Sequence, residues 1–398
     1  MVELPGSDDR SLIAFRRDLH RYPELRFDEV CTAERVAHRL TAAGLSVLTG
    51  QAKTGVVAAL LGDTPHPHVL VRADMDALPT QDLKTVPYAS VTDGVAHACG
   101  HDVHTAVVVG VAEALAARGN PEGRVTFVFQ PAEEIPFGEA SGGQAMLDTG
   151  VLDGVDVVLG LHCRPELNAG VIGIDEQVAM GAKMAFRILV QGTGAHAATP
   201  SSGRDAVLAA SSMVVALHQL LGREVDPGGR AALNVGTIRG GQSQSIVPPA
   251  AEMTGTIRTV DERLAARLRD SVERVVQGLG AAAGVTGTVE WKNDMPPVRN
   301  DERLVRRALE ALGNSRDVSV QRLDEPPMTA DDFALYAQQR PGLYVKLGVR
   351  DPSGRRTAHP LHDGRFDVDE RCIPAGVAGL LAIVDDVFAN GWNGQPDG

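Results

Sequence analysis

The sequence predicts an α/β protein: a sheet domain with helices on both faces, interrupted by a smaller α+β unit of ferredoxin-like pattern. Three observations carry this. Apolar runs at residues 56–61, 69–72, 125–129 and 155–161 have the length and continuity of strands buried on both faces. Helical stretches alternate with some of them. From about Lys183 the texture becomes strand, helix, strand, strand, helix, strand, the order of a two-layer ferredoxin-like unit.

Taken in order, Leu12, Phe15 and Leu19 form a helical stripe that stops at Pro23. A helix over 31–43 ends at Gly44, a good C-terminal cap. Residues 105–118 read as a third helix. In the second unit, 184–190 alternates like a half-buried strand. It is followed by a helix at 205–221, strands at 232–238 and 252–258, a helix at 261–283 and a strand at 285–291. Residues 293–300, with Pro296 and Pro297, read as the return linker, and 343–347 as a strand completing the first sheet. The expected division is a discontinuous first domain, 1–182 and 296–398, around an insert at 183–295.

With 398 residues the chain exceeds one typical domain. Its formal charge of −13 makes nucleic acid or an anionic membrane surface a poor partner. Cys31, Cys99, Cys163 and Cys372 are too few and too scattered for a disulfide framework, so reduced thiols and a cytoplasmic location are expected. Residues 1–10 carry Glu3, Asp8 and Asp9 and no apolar stretch, unlike a signal peptide. No window approaches the roughly 20 apolar residues of a membrane span.

The chemistry is concentrated in two runs, His97-Ala98-Cys99-Gly100-His101-Asp102-Val103-His104 and Gln130-Pro131-Ala132-Glu133-Glu134. The first offers a thiolate and an imidazole two residues apart, in what reads as a loop. The second offers adjacent carboxylates after a strand and a proline. Asp74 and Asp76 follow the strand at 69–72, and His162 follows the one at 155–161. Ligands of open α/β sheets sit beyond the carboxyl ends of strands. Such a donor set suits a hydrolytic transition-metal site, and zinc, manganese, cobalt and nickel all accept imidazole and carboxylate. Adjacent acids then divide the labour: one ligates, and the other stays free as general base and acid. His162, and His362 in Pro360-Leu361-His362-Asp363, are the remaining ligand candidates. Asp74 and Asp76, two apart, project to one side of a strand end and fit the role of orienting ligand imidazoles; Asp102, beside His101, is grouped with them. His104 reads as helix-start packing, and His20, His38, His66, His68, His218 and His359 as structural or surface residues.

These runs resemble a known family. Phe15-Arg16-Arg17-Asp18-Leu19-His20-Arg21-Tyr22-Pro23-Glu24-Leu25, Arg72-Ala73-Asp74-Met75-Asp76-Ala77-Leu78-Pro79 and the two runs above look like the N-acyl-amino-acid amidohydrolases. That group includes hippurate hydrolase and the plant auxin–amino acid conjugate hydrolases, within the superfamily of aminoacylase and the glutamate carboxypeptidases. Gly194-Ala195-His196-Ala197-Ala198, Gly255-Thr256-Ile257-Arg258 and Leu361-His362-Asp363-Gly364-Arg365-Phe366-Asp367 extend the likeness over nearly the whole chain.

The resemblance implies a zinc-exopeptidase-like catalytic domain with a mixed sheet, and an inserted lid that also pairs subunits into a homodimer. It implies two divalent metal ions per subunit (Zn, Mn, Co or Ni) held by Cys99, His101, Glu134, His162 and His362, with Glu133 as catalytic base. His196 matches a lid histidine that reaches an active site, often the partner's, and polarises the scissile carbonyl. Asn234 and Arg258 match lid residues near the substrate. The implied reaction cleaves an N-acyl amino acid, or a related small amide, to a carboxylic acid and a free amine. A dipeptidase or carboxypeptidase of the same superfamily is the alternative, and a metal-binding protein without turnover is a third reading that leaves a spare base unexplained. Asp331 stands where relatives usually carry Glu, and the loop 135–141 is longer than in many.

Overall fold

The computed structural model describes residues 9–119, 121–353, 357 and 359–392; the acidic stretch 1–8 lies outside them. Helices α1 (Asp9–Arg21) and α2 (Val30–Ala42) open the chain, and α1 buries Leu12, Phe15 and Leu19, the stripe their spacing predicts. The antiparallel pair β1 (Ser46–Gln51) and β2 (Gly55–Leu61) follows. β1 leaves no apolar signal in the sequence because none of its residues is fully buried. Then come β3 (His68–Asp74), α3 (His101–Arg118), β4 (Arg124–Gln130), α4 (Gly142–Leu147), β5 (Val157–Asn168), β6 (Val171–Asp175) and β7 (Val178–Met180).

Two elements differ from their expected limits, and both differences move site residues. α3 starts at His101, so His101 joins His104 in the helix instead of lying in a loop. β5 runs on to Asn168, so His162 lies within a strand and not after its end. The longer β5 is held by the parallel register of a later strand, which pairs Lys346 with His162. Such a tertiary pairing leaves no local mark in the sequence.

The second unit comprises β8 (Ala182–Gln191), β9 (Ala195–His196), α5 (Ala206–Glu224), β10 (Ala231–Gly240), β11 (Ile246–Val247), β12 (Ala250–Thr259), α6 (Glu262–Ala283) and β13 (Thr286–Met295). Its main sheet has the order β10-β12-β8-β13, antiparallel throughout, with α5 and α6 packed on it. This is the ferredoxin-like arrangement. It has its own core around Phe186, Ile188, Met213, Leu217, Met253 and Leu268.

The chain returns through β14 (Val298–Arg299), α7 (Glu302–Gly313), β15 (Ser319–Leu323), α8 (Phe333–Ala337), β16 (Gly342–Arg350) and α9 (Cys372–Asn390). The segment 293–300 is therefore not a plain linker: β13 extends into it, and β14 pairs with β7. The large sheet has the order β1-β2-β4-β3-β5-β16-β6-β15 and is mixed, with β4, β3, β5 and β16 parallel at its centre. Val71, Phe127, Leu159 and Val345 face the core under α1, α2, α3, α7 and α9. Leu70, Val128, Val158 and Tyr344 face Phe333 and Tyr336 on the other side. Strands buried on both faces read as unbroken apolar runs, which is why they were legible. One expectation about apolar length is corrected: α5 and α9 each have 19 residues, and α9 reaches a mean hydropathy of 1.8. α9 owes that to its place inside the core, where Val377, Leu380, Leu381 and Val384 are buried.

Candidate metal centre

The parallel centre of the sheet brings the carboxyl end of β3 (Asp74) beside that of β4 (Gln130), next to β5. Glu133 and Glu134 follow β4 directly. Gly100, in a left-handed conformation (φ +89°), turns the chain from Cys99 into α3. A Cβ there would stand 2.7 Å from Cys163 Sγ, so the close approach as well as the φ requires glycine. His362 is tied to the same loop: its N–H donates to the Ala98 carbonyl at 2.8 Å. His362 and Ala132 are themselves left-handed, with φ of 69° and 51°, conformations that cost non-glycine residues energy and gather at functional sites.

Five side chains from these distant stretches meet. Ligating atoms of Cys99, His101 and His162 lie within 4.8 Å of one another, as do those of Cys99, Glu134 and His362, and those of His101, Glu133 and Glu134. Cys99 Sγ is 3.6 Å from His162 Nε2, and His362 Nε2 is 3.0 Å from Glu134 Oε1. Both buried imidazoles are oriented. His162 Nδ1 donates to the Cys163 carbonyl at 2.9 Å, and His101 Nδ1 to the Asp76 carbonyl at 2.9 Å. With Nδ1 donating to a carbonyl, Nε2 is the atom each ring presents to the cluster. Asp76 also accepts the Glu134 N–H at 2.8 Å, so it holds both the His101 ring and the backbone of Glu134.

The residues fit a cation. His101 Nε2 is buried without a hydrogen-bond partner. Burial, with Glu134 and Glu133 nearby, pushes the Cys99 thiol well above its usual range. Burial and the Glu134 charge push Glu133 well up as well. Burial lowers His101, but Asp74 and Asp76 more than offset it and hold it up at about 10. Burial, with the His104 and Lys346 charges beside it, drives His162 well down and keeps it neutral. Burial would raise Glu134, yet its hydrogen bond to His362 and that ring's charge bring it below the usual value. Acids crowded this closely, around sulfur and nitrogen donors, are what a divalent ion relieves.

Glu133 makes no hydrogen bond or ion pair among the described residues. It stands against Asp331 and Asp332, whose oxygens are already committed. Asp332 accepts from Arg72 (2.6 Å), Gln130 (2.8 Å), the Gly143 N–H (2.7 Å) and the Ser141 hydroxyl. Asp331 takes the Tyr344 hydroxyl and pairs with Arg72 at 3.2 Å. Sequence reasoning missed Arg72, Asp332 and Glu29 as supports of this corner. Glu29 is fully buried, accepts the Ala132 N–H at 2.9 Å and the Thr54 hydroxyl at 2.5 Å, and so fixes the turn that aims Glu133. In the sequence it looks like any acid before a helix; only its long-range partner reveals its role.

The other expected residues divide. Asp74 pairs with Arg72 (2.7 Å) and His104 (2.6 Å), and its oxygen lies 3.8 Å from His101 Nε2. His104 in turn accepts the Cys163 N–H at 2.9 Å, a packing role with a defined partner. Asp102 is a correction. One residue along α3 from His101, it points elsewhere and pairs with Arg16 (2.7 Å) and His20 (2.7 Å) instead of a ligand imidazole. Arg258, half-buried at the end of β12, donates to the Met328 carbonyl at 3.3 Å and feels Glu134 and Glu133. Asn234 is exposed on β10. His196 is exposed on β9, where Nδ1 accepts the Ala198 N–H at 3.0 Å; among the described residues no hydrogen bond or ion pair joins it to the cluster.

The chain matches the family described as Peptidase family M20/M25/M40 over residues 70–386. It belongs to that family. N-acetylcysteine deacetylase of Bacillus subtilis (strain 168) is 35% identical over 364 residues, covering 91% of this chain and 93% of the relative. Thermostable carboxypeptidase 2 of Saccharolobus solfataricus is 33% identical over 377 residues, covering 94% of each. The crystal structure of the Bacillus subtilis YXEP protein, a dinuclear metal binding peptidase of the M20 family, superposes with a TM-score of 0.79 at 32% identity over 96% of this chain and 99% of that one.

Proposed function

We propose that the protein is a metal-dependent amidohydrolase that cleaves N-acyl amino acids to a carboxylic acid and a free amino acid. The carrying observation is the split role of the adjacent acids: Glu134 is drawn into the donor cluster by His362 and Asp76, while Glu133 stays unpaired beside it. Two divalent ions held by Cys99, His101, Glu134, His162 and His362 would supply Lewis acidity at the scissile carbonyl and make a water easier to deprotonate. Glu133 takes the proton of the attacking water and returns it to the leaving nitrogen. Arg258, which feels the charge of the two glutamates, and Asn234 are assigned to substrate binding. His196 donates to the developing oxyanion once the second unit closes or a partner subunit supplies it. The deacetylase relative supports the acyl specificity, and pairing of two chains through the second unit is part of the same reading. Four free cysteines support work in a reducing compartment, the cytoplasm.

A carboxypeptidase of the same family is the second reading, favoured by the Saccharolobus relative. Amine release from N-acetyl and N-benzoyl amino acids, compared with dipeptides and loaded in turn with Zn, Mn, Co and Ni, separates the two. Faster release from the N-acyl amino acids is expected. Cleavage of dipeptides alone overturns the acyl assignment.

A further inference from the structure

Beside His162 lies a cavity of about 240 Å³, lined among others by Arg164, Met180, Thr329, Lys346 and Leu361. It adjoins the centre on two sides, since His162 is one proposed ligand and Leu361 precedes another. Lys346 lies opposite His162 in the sheet, on the face that also carries Tyr344, and is 1% exposed. Its ammonium has poor company. Nζ lies 2.8 Å from the Met180 sulfur and 4.8 Å from the centre of the Tyr344 ring, and among the described residues no carboxylate forms an ion pair with it. A thioether is a weak acceptor and does not replace the water an ammonium gives up on burial. Two of the neighbouring charges are otherwise placed. Arg164 is held by Glu166 at 2.7 Å, and Asp331 by Tyr344 and Arg72. Asp175, nearby, has neither oxygen hydrogen-bonded. A buried cation that lines a cavity beside a reaction centre, with no anion on it, is a site for an anionic group.

We propose that Lys346 is the counter-charge for a carboxylate of the substrate, bound in this cavity next to the scissile amide. The inference rests on the amidohydrolase reading for the word substrate, but the site does not depend on turnover. At about 30 Å³ per water the cavity has the space of about eight waters, enough for a short dicarboxylic acyl chain. The carboxylate comes either from such an acyl group or from the amino acid released.

The test measures kcat/KM on two substrate pairs with metal-loaded wild type and Lys346→Met. N-succinyl- against N-butyryl-L-alanine tests the acyl end, and N-acetyl-L-alanine against its amide tests the amino-acid end. Wild type is expected to favour the anionic member of one pair by about 10-fold or more, and the variant to lose that preference; the affected pair names the source. Unchanged preferences in both pairs overturn the proposal, as a water-bridged Lys346–Asp175 pair would give. A measurement without turnover accompanies it: succinate should raise the melting temperature of metal-loaded wild type more than butyrate does, and this difference should vanish in Lys346→Met. Equal shifts in both proteins overturn the proposal. Succinate discrimination in a protein that hydrolyses neither pair would sink the amidohydrolase reading and leave the Lys346 site standing.

Discussion

Replacing Glu133 by Gln keeps the shape of the side chain and removes the proposed base. General acid–base catalysis is worth about 10²–10⁴ in rate, or roughly 3–5 kcal/mol at about 1.4 kcal/mol per factor of ten. The structure puts the expected loss at the upper end, because no neighbouring acid is free to substitute. Glu134 is held by His362 at 3.0 Å and through its N–H by Asp76. Asp331 and Asp332 are committed to Tyr344, Arg72, Gln130 and Ser141. The same change should not destabilise the fold. Burial and Glu134 push Glu133 well up, so the site favours a neutral group and a neutral amide fits it without a new buried charge. The assay is kcat on an N-acyl amino acid, with metal content by mass spectrometry and melting temperature on the same samples. A loss of about 10⁴ in kcat, with unchanged metal and an equal or higher melting temperature, is expected. Turnover within a few-fold of wild type at equal metal content would refute the assignment of the base.

Arg72→Met should cost about 3–5 kcal/mol in denaturant unfolding, because it leaves Asp74, Asp331 and Asp332 buried without their cation; an unchanged midpoint would show that the carboxylates find other partners. Burial raises Asp175 to about 6, above its unfolded value of about 3.9. Its contribution is therefore fully present below pH 4 and lost as pH rises through 6, up to about 3 kcal/mol. Asp175→Asn should remove that slope from the pH dependence of stability between pH 4 and 7, and an identical slope in both proteins would contradict it. Cys99→Ala should lower bound metal under equal loading, and chelation should then change its melting temperature less than it changes that of wild type. His196→Ala should cut kcat on N-acyl amino acids while metal content and melting temperature stay at the wild-type level, as checked on one preparation.

The sheet and the second unit were legible because their signals are local. Val69 to Arg72 and Val125 to Phe129 are buried on both faces, and Leu12, Phe15 and Leu19 recur at helical spacing. β1 was not legible because it lies at an exposed edge, and the length of β5 was not because its far half depends on β16. In the centre, the Cys-x-His pair and the adjacent acids show in the sequence because metal chemistry needs those types together. The groups that aim them do not. Glu29 acts on Ala132 across 103 positions and Arg72 on Asp332 across 260. Asp102 was misassigned because adjacency to His101 in sequence means a rotation of about 100° on a helix. His196 and Asn234 are exposed in one chain, so their assignment rests on the resemblance and on the closure or pairing proposed above.

The most direct measurement is anomalous diffraction from crystals of metal-loaded protein. Two ions are expected among Cys99, His101, Glu134, His162 and His362, with the Glu133 carboxylate near them and unligated. A fully loaded crystal with no ion at that cluster, or with Glu133 turned to bulk solvent, would contradict the hydrolase reading.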